Sequence, residues 1–244
     1  MRRERARVCE MRRVKDSTSA SSEFAELVAI MARLRSPEGC PWDREQDHRS
    51  LRPHLLEEAY EVLEAIDAGD AKALCSELGD VLLQVVFHAQ MAAEAGEFDI
   101  SDVIQGLRDK LMARHPHVFG DKQIATAEGV VTEWERIKRD ERQQTPEEQV
   151  AAGVPKHLPA LAKAQAALRK AVRAGLERKP DDAVAEMEEA LERLGNREGD
   201  PEEAMGLLLF AVADLARMNG VEAEQALRER VEGFLRGFGE GGGN

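Results

Sequence analysis

Apolar residues recur at three- and four-residue spacing along most of this chain, and no stretch alternates apolar with polar as a half-buried strand does. Phe24, Leu27, Val28, Ile30, Met31 and Leu34 predict a first helix from about Ser22 to Arg35. The segment SPEGCPWDREQDH then enforces a loop, because Pro37, Gly39 and Pro41 crowd into it. A second helix starts near Arg52, where Pro53 is tolerated only in the first turn, and stops at Gly69. Asp70 caps a third, which runs to about Ala95 and ends at Gly96. Ser101 opens a helix through Arg114 that His115-Pro116 terminates, and Thr126 begins another that carries Trp134 and Lys138 and fades near Arg142.

QQTPEEQVAAGVPKHLP is polar and proline-bearing, and it reads as a linker over residues 143–159. Beyond it the same periodicity predicts helices at roughly 160–174, 181–194, 201–218 and 221–238, before a flexible tail at 239–244. Residues 1–22 have little to bury and are expected to be a disordered basic lead-in, with Met11 an alternative internal start. The expected organisation is therefore a domain at 23–142, a linker, and a second helical unit at 160–238. The expected fold class is all-α, built from helical bundles.

Composition agrees with this pattern. Aromatic residues are 4% of the 244, charged residues 33%, a balance that suits helices better than sheets. The net charge of −13 argues against general nucleic-acid binding or docking on acidic membranes, but leaves a small phosphate ligand possible if a metal bridges it. The longest apolar run, near Leu207–Ala213, is too short to span a bilayer, and the arginines near the N-terminus precede no apolar core of a secretory signal. Cys9, Cys40 and Cys75 have no CxxC spacing, so reduced thiols in a cytoplasmic protein are expected.

One stretch stands apart. His54–Met91 reads as two helices folded back on each other, each with an acidic stripe. Glu57, Glu58 and Glu61 share a face of the first; Glu77 and Asp80 share a face of the second, where Gln84 and His88 continue the line. Leu78, Val81, Leu82, Val85, Val86 and Phe87 flank that second stripe, and almost no basic side chain is nearby. Like charges roughly 5 Å apart repel by on the order of 3 kcal/mol at an effective dielectric near 20, so such acids need protons or cations. Carboxylate ligands select hard ions such as Mg²⁺ or Mn²⁺. The plainer alternative is a solvated glutamate face, which helical glutamates usually form. A second acid pair inside an apolar run weighs against it.

The two halves of the chain look like repeats. ELGDVLLQVVFHAQM at 77–91 lies over AMGLLLFAVADLARM at 204–218, with Gly79 on Gly206 and Leu82 on Leu209. The acids are lost selectively: Glu77 meets Ala204 and Asp80 meets Leu207, while Glu58 and Glu61 meet Glu186 and Glu189. The second copy keeps the apolar register and half of the acids.

LLEEAYEVLEAI followed by SELGDVLLQVVFHAQ gives EExxE and ExxD, which resemble the metal-binding motifs of the all-α nucleoside triphosphate pyrophosphohydrolases. RLRSPEGCPWDREQDH, DKLMARHPHVFGD and EWERIKRDER make the resemblance specific to the MazG family, closely over about residues 24–142 and more loosely to residue 238. The resemblance implies two tandem MazG-like units, the second degenerate, in a homodimer whose helices complete each other's bundles. It implies Mg²⁺-dependent hydrolysis of NTP to NMP and pyrophosphate, with Mn²⁺ as a substitute, in nucleotide-pool housekeeping.

Carried over to this chain, the implied metal ligands are Glu58, Glu61, Glu77 and Asp80, with Glu57 a helper in activating water. Lys110, Arg114 and Lys138 match basic positions that hold the triphosphate, Trp134 matches an aromatic near the base or ribose, and Trp42 is a further candidate. In the second unit Lys110 and Arg114 meet Gly233 and Gly237, so one active site per chain is expected. A narrower dUTP/dCTP or phosphoribosyl-ATP pyrophosphohydrolase remains open at this point, as does a non-catalytic metal-binding or interaction bundle.

Overall fold

The computed structural model describes residues 2–143 and 153–240, which fall into two compact units, Met1–Met112 and Ala113–Asn244. All regular structure among the described residues is helical, as the sequence periodicity requires. Among the described residues no single helix is long and apolar enough to cross a membrane.

In the first unit α1 is Arg2–Arg35, α2 Pro41–Glu45, α3 Arg52–Ala68, α4 Ala71–Ala95 and α5 Ile100–Arg114. α1 begins well before the expected start near Ser22. Arg, Glu, Ala and Met dominate its opening turns, and neither glycine nor proline interrupts the chain before Pro37, so local propensity carries the helix back. The segment expected as plain loop contains α2, which Pro41 opens because a proline's missing N–H costs nothing in a first turn.

The α3–α4 turn follows the sequence closely. Gly69 takes the left-handed conformation at φ 65°, and the Asp70 carboxylate accepts from the N–H groups of Lys72 and Ala73. This hairpin is held by a core of Met31, Leu51, Val86, Phe87 and Met91, with Phe24, Leu27, Leu34, Leu83 and Ile100 around it. Arg35 fastens the α2 segment to this core. Its guanidinium lies 5.3 Å from the Phe87 ring centroid, donates to both Glu94 oxygens, and reaches the carbonyls of Asp43 and Gln46.

The second unit holds α6 (Pro116–Phe119), α7 (Ala127–Arg142), α8 (Ala160–Arg173), α9 (Pro180–Asn196), α10 (Pro201–Met218) and α11 (Ala223–Glu240). α7 thus groups with the C-terminal helices, and most of the expected linker, 144–152, lies outside the described residues, as do tail residues 241–244. α9 and α10 pack closely through Ala183, Ala190, Ala204 and Ala211, each with no exposed surface. The buried Gln165 of α8 ties the α10–α11 junction by donating to the carbonyls of Ala213 and Val221 and accepting from the Ala223 N–H.

Asp214 is fully buried and bound by two guanidinium groups, Arg178 at 2.8 Å and Arg217 at 2.7 Å; Arg178 also grips both Glu186 oxygens. Removing one member of such a set strands a buried charge. Arg178→Met is expected to cost about 3–5 kcal/mol of stability in urea unfolding. A loss within experimental error would show that Arg217 alone suffices for Asp214.

Candidate metal centre

Helix geometry places the acids. Glu58 and Glu61 lie one turn apart on α3, Glu77 and Asp80 one turn apart on α4, and the tight Gly69-Asp70 turn sets the two helices side by side. One carboxylate oxygen each from the half-buried Glu58, Glu77 and Asp80 lie within 4.8 Å of one another. Glu61 is more exposed and lies outside that set, but it is near enough to act on the Glu58 carboxyl, so it adjoins the cluster. Glu57 is turned to His54, 3.1 Å away, and stands outside it. The structure therefore brings together three of the four expected ligands and places the fourth at their edge.

Burial pushes the Glu58 carboxyl above its usual value, and the hydrogen bond with Glu61 and the charges of Asp80, Glu61 and Glu77 push the same way. No basic side chain among the described residues forms a salt bridge with any of these four acids. Other acids are treated differently. Glu133 is held by Arg136 and Lys122, which bring its pKa down to about 2, and Glu94 is lowered by Arg35. Three hard oxygen donors with no internal cation suit a divalent ion of the magnesium or manganese kind.

The remaining expected residues are more scattered in their bonding. Lys110 is exposed on α5. Arg114 is mostly buried and bound to Glu141 at 2.6 Å. Lys138 pairs with Glu135 at 3.4 Å and lies 5.6 Å from the Trp134 ring centroid, so these two expected substrate contacts do come together. His115 stands 5.7 Å from the Trp134 ring, and the buried Trp134 Nε1 and His117 Nδ1 have no hydrogen-bond partner among the described residues. Trp42 is half exposed, edge-on to His54 at 6.1 Å.

Two features escaped sequence reading. His48 and His88 meet at 2.7 Å through their Nδ1 atoms, so one ring donates and the other accepts, and burial followed by the His48 charge lowers the His88 pKa. Glu141 and Glu135 occupy the guanidinium and ammonium groups expected to meet phosphate. Only the stripe position of His88 carried any signal.

Together these features define an all-α protein with an unneutralised carboxylate cluster on a helical hairpin. Residues 46–119, which include that hairpin, match the family model described as the MazG nucleotide pyrophosphohydrolase domain. The chain is 45% identical over 219 residues to the nucleoside triphosphate pyrophosphohydrolase/pyrophosphatase MazG of Thermotoga maritima, covering 88% of this chain and 84% of that protein. It is 42% identical over 228 residues to the nucleoside triphosphate pyrophosphohydrolase of Escherichia coli K12, covering 90% and 87%. A Mycobacterium tuberculosis protein of the same name is 42% identical over 155 residues, 63% of this chain and 46% of that one. The chain belongs to the MazG family of nucleotide pyrophosphohydrolases.

The raised Glu58 pKa has a stability consequence. At a pH above that raised value the ionised carboxylate is a full cost to the fold; below it the folded chain holds the proton and the cost shrinks, to vanish only below the usual carboxylate value where the unfolded chain is protonated too. Glu58→Gln is therefore expected to raise the metal-free thermal midpoint near neutral pH, and the gain should fade on acidification toward the usual carboxylate range. A lower midpoint near neutral pH would mean that the crowding does not destabilise the chain.

Proposed function

We propose that this chain is a Mg²⁺-dependent nucleoside triphosphate pyrophosphohydrolase that converts NTP or dNTP and water to NMP or dNMP and pyrophosphate. The observation that carries this reading is the unneutralised set of Glu58, Glu77 and Asp80, within 4.8 Å of one another in the segment that matches the MazG domain. The names of the Thermotoga maritima and Escherichia coli relatives support the reaction class.

Glu58, Glu77 and Asp80, with Glu61 beside them, would hold the cation. A bound Mg²⁺ supplies neutralisation of phosphate charge and a lowered pKa for water. Glu57, one residue from Glu58 and within reach of His54, would orient the water for attack on the α-phosphorus. Lys110, Arg114 and Lys138 would receive the triphosphate, with Trp134 and Trp42 beside the base and sugar. Arg114 and Lys138 would then exchange an internal carboxylate for a phosphate, which suits their donors equally well.

Residues 23–142 form the catalytic segment in this reading, and 160–238 a degenerate copy with no second site. Ala204 and Leu207 stand where Glu77 and Asp80 stand in the first unit, and Glu186, opposite Glu58, is already bound to Arg178. A homodimer would cover Leu55, Leu56, Leu63, Ile66, Leu78, Leu82 and Val85, all exposed on the α3–α4 hairpin. The free thiols of Cys40 and Cys75 support a cytoplasmic setting, and nucleotide-pool housekeeping is the role that such an activity serves.

The test is hydrolysis across the eight common NTPs and dNTPs with separate detection of pyrophosphate and orthophosphate. Pyrophosphate and monophosphate should appear with Mg²⁺ and disappear on chelation; orthophosphate as the direct product would overturn the reading. Asp80→Asn should lower kcat by more than the roughly 10–100-fold that changes around a metal's outer partners cost. Unchanged turnover in that variant would remove this acidic cluster as the site, whereas a wild-type chain with no turnover on any of the eight nucleotides would leave a non-catalytic metal-binding bundle as the better description.

A further inference from the structure

The Gln84 side chain is 5% exposed, and its Oε1 is buried with no hydrogen-bond partner among the described residues. Buried amide oxygens are almost always paired, and an exception calls for a function or a missing partner. Its position on α4 says where that partner belongs. At 100° per residue, Gln84 lies about 20° around the helix from Glu77 and about 40° from Asp80, so it falls on the acidic stripe. Side chains on a helix lean toward its N-terminus, which sends Gln84 over the turn that carries Asp80.

The second unit supplies an independent comparison. In the register that lays 77–91 over 204–218, Gln84 meets Ala211, which has no exposed surface. The position is thus buried in both units, but the amide is present only where Glu77 and Asp80 are present. Packing of this helix does not require it. Its loss alongside the acids ties it to what the acids do.

We propose that Gln84 is a positioning residue of the acidic cluster, its Oε1 accepting a hydrogen bond from water coordinated to the divalent cation. This rests on the metal seat proposed above and extends it by one residue that the acidic motifs do not contain. A water bound to a divalent cation is a strong donor, and an acceptor prearranged in a buried place holds it without reorganisation. The amide is kept at a cost to the metal-free fold, which the bound state recovers.

The experiment is Mn²⁺ titration of the nucleotide-free full chain by calorimetry, paired with thermal unfolding with and without Mn²⁺. Gln84→Met keeps the length and removes both polar atoms. It is expected to weaken Mn²⁺ binding about tenfold, while the metal-free midpoint stays level or rises because an unpaired polar group has gone. Gln84→Ala, the residue the second unit carries at this place, should show the same loss of affinity with a lower midpoint from the lost volume. Unchanged Mn²⁺ affinity in both variants overturns the inference alone. A wild-type chain that takes up no Mn²⁺, or one whose uptake is indifferent to Asp80→Asn, overturns the seat itself. A metal-free midpoint that collapses in Gln84→Met while Mn²⁺ affinity is kept identifies the amide as structural and also overturns the proposal.

Discussion

Glu58, Glu77 and Asp80 crowd their carboxylates within 4.8 Å on one helical hairpin, half-buried and without a salt-bridge partner among the described residues. Such crowding persists only if the surrounding structure holds the two helices in register against the repulsion. The Gly69-Asp70 turn does this at one end, and the core of Leu51, Val86 and Phe87 does it along the length. Arg35 strengthens that frame from outside, joining α1, the α2 segment and α4 with one guanidinium. Arg35 thus serves the frame, and no salt bridge among the described residues reaches the acids.

The second unit meets the same electrostatic problem in the opposite way. Glu186, at the place of Glu58, is gripped by Arg178, which also neutralises the fully buried Asp214 together with Arg217. Two acids and two guanidinium groups cancel, and the small alanines of α9 and α10 allow close packing around them. A helical pair of this kind is therefore stable with its charges closed internally. Leaving them open in the first unit is a property of that unit's sequence, not a demand of the packing.

Much of this is legible in the sequence. The helix limits around the hairpin follow from Pro53, Gly69, Asp70 and Gly96, because each acts on the backbone within a turn or two of itself. The acid cluster was legible for the same reason: three- and four-residue spacing is a geometric statement about a helix face. The short helices α2 and α6 were not, since a proline-opened turn looks the same in sequence as a loop. The extent of α1 was missed because its N-terminal segment has nothing to bury, while its helix propensity is high.

By itself, then, the sequence determined the all-α class, the hairpin, and which carboxylates share a face, all of them consequences of local spacing. Only the tertiary structure decided which charges are answered. Arg114 meets Glu141 at a separation of 27 residues, His48 meets His88 at 40, and Arg178 meets Asp214 at 36. No periodicity encodes contacts at such distances, because they depend on how whole helices are laid against one another. The same holds for Glu61, which shares a stripe with Glu58 yet stands at the cluster's edge, and for Gln84, whose burial without a partner among the described residues appears only once the helices are packed.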